Sequence, residues 1–184
     1  MHSLRYTLTV VAAASLLGAT SALAQQKRVS PHETVSKEID GSRVMVVYGR
    51  PYAKDPKSGE TRKIWGGLVP FGKVWRTGAD EATLLVTTKP LAFGDTSLPA
   101  GSYALFTLPA EDGSAKLIIS KQVGEWGAYN YDEKQDVARV DLKKEKTDAP
   151  VEEFTMMVDK NGDGGVLKMK WENAEYSAPF TVKK

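Results

Sequence analysis

From Thr34 onward the apolar positions recur every second residue and hold that period nearly to the C-terminus. No stretch shows the 3.6-residue recurrence of a long amphipathic helix, so the chain reads as a succession of short strands. In "TVSKEIDGSRVMVVYGRP" two strand-like runs, Val35 to Ile39 and Val44 to Tyr48, flank Asp40-Gly41. Asp-Gly between such runs favours a type I′ hairpin, because both central residues need positive φ and glycine supplies one without steric cost. A second hairpin is expected between "GSYALFTLP" and "AKLIISK" across "AEDGS", and a third between "EFTMMVD" and "GVLKMKWE" across "KNGDG". With "ATLLVTTKP", "DVARVDLK" and "APFTVKK" the count reaches about nine strands. The expected fold is all-β, an antiparallel β-sandwich or jelly-roll-like barrel.

Two regions break the rhythm, residues 49–82 and residues 124–136. Long irregular stretches in a compact domain are usually functional or disordered. Disorder fits the first poorly: Ile64, Trp65, Leu68, Val69, Phe71, Val74 and Trp75 carry too much apolar surface to leave in water. Burying each aromatic is worth roughly 2–3 kcal/mol. The segment therefore reads as an ordered cap on the strands, with a helical turn expected at Lys63 to Leu68.

The N-terminal end changes the compartment. "MHSLRYTLTVVAAASLLGATSALAQQ" has one basic residue, an apolar run too short for the ~20 residues of a spanning helix, and small residues at Ala22 and Ala24. It reads as a signal peptide over residues 1–24, with residues 25–184 forming one exported, periplasmic or secreted domain and no transmembrane segment after cleavage. The expected mature chain of 160 residues is long enough for a sizeable core. It has no cysteine, hence no disulfide framework. Removing Arg5 leaves 24 basic against 23 acidic side chains, a balance that offers no footprint for nucleic acid.

The blocks "YGRP" at Tyr48 to Pro51, "IWGGLVPFGKVWRTGADEAT", "LPAGSYALFTLP" at Leu98 to Pro109 and "WGAYNYDEKQDVARV" at Trp126 to Val140, with Ser30-Pro31 before them, run in the order found in one family. From about Ser30 to the C-terminus the chain resembles domain of unknown function 2911. The resemblance implies an exported bacterial protein, mostly β, with no assigned activity. That family's central block usually reads Arg-Thr-Gly-Ala-Asn, and this chain has Asp80 in the last place, a charged acceptor instead of an amide that donates and accepts.

Candidate chemistry concentrates in "WRTGADEAT". In one reading Arg76 folds back onto Asp80 or Glu81 as an ion pair that fixes the loop. In the other, Arg50, Arg62 and Arg76 line a pocket for a carboxylate, phosphate or sulfate, while Asp80 and Glu81 accept from ligand hydroxyls. Trp126, Tyr129 and Tyr131 offer amphipathic rings suited to a sugar or peptide face, or else plug the end of the strands. "DKNGDGG" imitates the start of a calcium loop, but its twelfth position is Lys170 and both flanks are strands, so it reads as a hairpin turn. The expected mature chain has a single histidine, His32, which reads as a surface residue and leaves no histidine triad or multi-histidine metal centre. Neighbouring acids on a strand face opposite ways, so neither Asp80-Glu81 nor Asp132-Glu133 makes a catalytic pair by itself. No cofactor or metal is expected.

Three functions fit these residues: a binding module for a small polar or anionic ligand such as a sugar or carboxylate, a hydrolase or lyase using Arg76 with Asp80 or Glu81, and a contact domain of the envelope. Export is the first testable step. Mass spectrometry of the protein recovered from periplasm or medium should give a mature N-terminus within a residue or two of Gln25, and retention of residues 1–24 would refute it.

Overall fold

Asp40 and Gly41 adopt φ of 48° and 72°, the paired left-handed geometry of a type I′ turn, and the chain reverses there. The computed structural model describes residues 28–183, so the expected signal peptide lies outside the described residues. Around the turn, β1 (His32–Ile39) and β2 (Ser42–Gly49) pair antiparallel with Ile39 opposite Ser42. Val44, Val46 and Tyr48 of β2 are buried while Arg43 is exposed, as a half-covered strand requires. Next come β3 (Thr83–Thr87), β4 (Leu91–Phe93), β5 (Thr96–Leu98), β6 (Gly101–Pro109), β7 (Ala115–Ser120), β8 (Asp136–Asn161) and β9 (Gly164–Val182). A single 3-10 turn at Glu133–Gln135 leads into β8.

The nine strands form one antiparallel sheet in the order β1-β2-β3-β6-β7-β8-β9-β4-β5. Its hinge is β8. Residues 136–142 of this strand pair with β7, and residues 143–161 pair with β9. Register shifts between Lys146 and Val151, and again between Val151 and Thr155, mark irregular pairing at which a strand bends and twists. The two ends of the sheet thereby share one core. Val44, Val46 and Leu85 from one part join Phe154, Met156, Leu167 and Phe180 from the other in a single buried cluster.

The strand count agrees with expectation for a different reason. "DVARVDLK" and "EFTMMVD" are two parts of β8, "GVLKMKWE" and residues 178–182 of the last run are two parts of β9, and the β4–β5 hairpin supplies the difference. "KNGDG" is the β8–β9 turn as expected, with Asn161 opposite Gly164, and Asp159 pairs with Lys168 at 3.0 Å.

Residues 50–82 form the expected ordered cap. Ile64 and Val69 are fully buried and Trp75 is 9% exposed, whereas Leu68 is exposed, contrary to its expected role as an anchor. Lys63 to Leu68 is a turn and not a helix: Leu68 and Val69 donate to the carbonyls of Lys63 and Ile64 five residues back, a wider closure than the α-helical ladder. The cap is stitched at both ends. Ala53 N–H donates to Glu152 O at 2.6 Å and Phe154 N–H to Pro51 O at 2.9 Å, on the irregularly paired part of β8. Trp75 and Thr107 exchange two backbone hydrogen bonds of 2.8 Å, extending β6's ladder beyond β3.

One backbone contact sets where the cap returns to the sheet. A Cβ on Gly49 would lie 2.3 Å from the carbonyl oxygen of Ala79, and one on Gly78 would lie 2.8 Å from that of Gly49. Neither obstacle is a side chain that could rotate away. Gly49→Ala should therefore lower the unfolding free energy by about 2 kcal/mol, as overpacking does, read as a fall in the urea midpoint at unchanged slope. A midpoint equal to wild type would show that the two backbones separate freely.

Candidate functional site

The turn from Arg76 to Thr83 is built from left-handed backbone. Thr77 and Asp80 take φ of 55° and 63°, conformations that non-glycine residues adopt at a cost of order 1 kcal/mol each. They are held there by hydrogen bonds. Thr77 Oγ1 lies 2.8 Å from Thr107 Oγ1, Thr83 Oγ1 donates to Thr77 O at 2.6 Å, and Thr83 N–H closes on Arg76 O at 3.1 Å. Because Asp80 leaves the extended conformation, the alternation expected of a strand fails. The carboxylates of Asp80 and Glu81 come to one place, with His32 Nε2 between them at 3.0 Å from Asp80 Oδ2 and 3.9 Å from Glu81 Oε2.

Behind the turn lies a cavity of about 260 Å³ whose walls include Tyr52, Arg62, Trp75, Arg76, Asp80 and Trp171. Its polar groups are mismatched. Arg62 Nε, Arg76 Nε and Trp171 Nε1 are buried donors without an acceptor among the described residues. All three can only donate, and a buried donor left unsatisfied costs roughly 1–3 kcal/mol. Arg62 spends one Nη on the carbonyl of Tyr52. Arg76 makes no ion pair among the described residues, so of the two readings the one in which Asp80 or Glu81 folds back onto it is not what the fold adopts.

Those carboxylates serve other partners. Arg28 grips Glu81 through both Nη atoms, places Nη1 3.9 Å from Asp80 Oδ2, and stands 5.9 Å from the Trp126 ring centroid. The hydrogen bond from Arg28 holds the Glu81 carboxyl below the usual carboxylate range. His32 is thus no isolated surface residue. It sits in the cluster because β1 starts there, beside the turn that carries Asp80.

The loop expected to contribute aromatic rings does meet the turn. Ala82 N–H donates to Glu125 O and Gly127 N–H to Asp80 O, both at 2.9 Å, and Glu81 bridges to Trp126. Trp126 and Tyr129 are 57% and 82% exposed. Tyr131 instead packs edge-on against Phe106, donates to Asp136 Oδ2 at 2.6 Å and accepts from Arg139 Nη2 at 2.9 Å.

Of the candidate residues, then, the fold gathers Arg62, Arg76 and Asp80 around one cavity and Asp80, Glu81 and Trp126 around Arg28. Arg50 stays apart. Its Nη1 pairs with Glu33 at 3.1 Å and Glu153 at 3.2 Å, and its other nitrogens reach Phe154 O and Thr155 Oγ1, so it ties β1 to β8. Arg28, His32 and Trp171 belong to the site without having been singled out for it. The status of His32 as the lone histidine of the expected mature chain was the available signal. Trp171 and Arg28 gave none.

An antiparallel all-β domain, capped by an irregular segment over a donor-rich cavity, is the class these features define. The chain belongs to the family described as Protein of unknown function (DUF2911), which matches residues 30–180. No curated protein and no solved structure matches it.

Tyr131 gives a pH test of this corner. Burial and then the Asp136 carboxylate push its phenol up to about 12. The folded state therefore keeps a proton that an unfolded tyrosine loses near 10. The associated stability is intact below pH 10 and is lost as pH rises through 12. Tyrosine ring NMR should show Tyr131 still protonated at pH 11, and a midpoint near 10 would contradict the burial.

Proposed function

We propose that this chain is an exported binding module whose sheet folds over as a β-sandwich and whose cap takes up a small anionic ligand, carboxylate-bearing or a sugar acid, between Arg62 and Arg76. One observation carries the reading: three buried N–H donors on the cavity wall, Arg62 Nε, Arg76 Nε and Trp171 Nε1, have no acceptor among the described residues. An anion's oxygens supply the missing acceptors, and the planar guanidinium suits a carboxylate best. The apolar faces of Trp75, Trp171 and Tyr52 suit the body of such a ligand, in keeping with the mixture of apolar walls and few polar groups typical of small-molecule sites. The register shifts in β8 and the single core beneath both parts of the sheet support the sandwich.

Arg76 decides between scaffold and site. A structural arginine leaves a stranded buried partner when truncated, at a cost of roughly 3–5 kcal/mol. Arg76 has no such partner among the described residues, so Arg76→Ala should leave the urea midpoint unchanged or raised at constant slope. The same variant should lose binding of whichever probe raises the wild-type melting temperature in a screen of small carboxylates, sugar acids, phosphate and sulfate. A substantially lower midpoint in Arg76→Ala would return the segment to plain architecture.

A further inference from the structure

The cluster beside the cavity carries an inference that goes beyond anion binding, and it departs from the expectation that the chain holds no metal. We propose that His32, Asp80 and Glu81 form a site for one divalent transition-metal ion, with Arg28 as the cation that stands in its place when no metal is bound.

Geometry supplies the first argument. The imidazole nitrogen and the two carboxylate oxygens all lie within 4.8 Å of one another. An ion bound at about 2.1 Å by nitrogen and oxygen keeps its ligands roughly 3.4 Å apart in a tetrahedral arrangement. The distances from His32 Nε2 to Asp80 Oδ2 and Glu81 Oε2, 3.0 and 3.9 Å, bracket that spacing. The three ligands come from β1 and from the left-handed turn 48 residues later, so they are held by two separate parts of the fold.

Charge points the same way. His32 Nε2 lies 3.0 Å from Asp80 Oδ2, and Arg28 Nη1 lies over the imidazole, 3.3 Å from Nδ1 and 2.8 Å from Nε2. With Nε2 protonated the imidazole donates to Asp80, and two carboxylates share a single guanidinium. A divalent ion answers both carboxylates at once and takes a bare imidazole nitrogen.

Asp80 also lines the cavity that contains the Trp171 indole, 1% exposed and with an unpartnered N–H. The ion therefore lies at the rim of a chamber that itself lacks an acceptor. Arg28, for its part, can yield: it is exposed, and Trp126 offers its ring face to the guanidinium outside the cluster. One imidazole and two carboxylates, with no thiolate, suit zinc or manganese. Calcium and magnesium prefer oxygen alone. The ligands' partial exposure leaves room for water or for an anion oxygen on the metal.

The test uses the untagged mature protein, stripped with chelator, at pH 7.5. Titration calorimetry with Zn²⁺, and the loss of the free Mn²⁺ electron-spin signal, should each report one ion per chain. Asp80→Asn, which tolerates the same left-handed backbone, and His32→Gln should each weaken binding at least tenfold with melting temperatures within a few degrees of wild type. Arg28→Gln is the distinguishing variant, because removing the competing cation should tighten metal binding severalfold. Absence of binding at 1 mM ion, affinity untouched by Asp80→Asn and His32→Gln, or weaker binding in Arg28→Gln would each overturn the proposal. Arg76→Ala separates this from the anion reading: it should keep the metal whether or not it loses the anion.

Discussion

The stacking of Trp75 on Trp171 is the contact on which the rest of the site depends. Their rings lie 5.8 Å apart at 18°, and Phe154 and Trp65 meet both edge-on. Trp75 belongs to the cap, Trp171 to β9 and Phe154 to β8, so this one aromatic cluster joins the irregular segment to the two longest strands. Aromatic pairs add roughly 0.5–1.5 kcal/mol each beyond burial of their area, which exceeds what a surface loop gains from scattered polar contacts. With Trp75 pinned, Arg76 is carried to the cavity wall and Thr77 to Thr107. The left-handed turn that aligns Asp80 with Glu81 follows from that anchoring.

Two arginines of the cap show how pairing divides structure from chemistry. Arg50 and Arg76 are both half-buried, yet Arg50 meets two carboxylates, a carbonyl and a hydroxyl, while Arg76 meets none among the described residues. A buried charge with full pairing ties elements together, and its removal strands its partners. One without pairing destabilises the fold it sits in. The carboxylates that could have neutralised Arg76 are its near neighbours in sequence, but the Asp80 turn directs them to Arg28 and His32 on the other side.

What the sequence made legible follows from the range of the interactions concerned. Asp40-Gly41 and "KNGDG" announce their turns because the determinant is local backbone geometry. The 49–82 cap was legible as ordered because its apolar content leaves no alternative. Residues 144–152 were not legible as strand: "KEKTDAPVE" has the charge and proline of a loop, and it is the long-range pairing of β8 with β9, bulges included, that makes it extended. The same limit applies to the site. That Arg62 and Arg76 share a cavity while Arg50 does not is decided by where the chain after β2 crosses β8. The meeting of His32 with Asp80 depends on β1 starting beside a turn whose left-handed residue is an aspartate, which alternation along a strand would have pointed elsewhere.

The costs collected around Asp80 bear on whether this corner is architecture. Three orphan donors at roughly 1–3 kcal/mol each and two strained residues at about 1 kcal/mol each amount to several kcal/mol. That is a sizeable part of the 5–15 kcal/mol by which a domain is usually stable. The core that tolerates it is built elsewhere, from buried residues such as Val46, Leu105, Leu117 and Ile119 that line neither the cavity nor the cluster. Nothing in strand pairing requires Asp80 to be left-handed or Arg76 to be unpaired, since a glycine and an apolar residue would satisfy the backbone more cheaply. Unsatisfied donors on one side of Asp80 and two carboxylates sharing one guanidinium on the other therefore mark a point at which the fold spends stability, which is what the proposed anion and metal sites require.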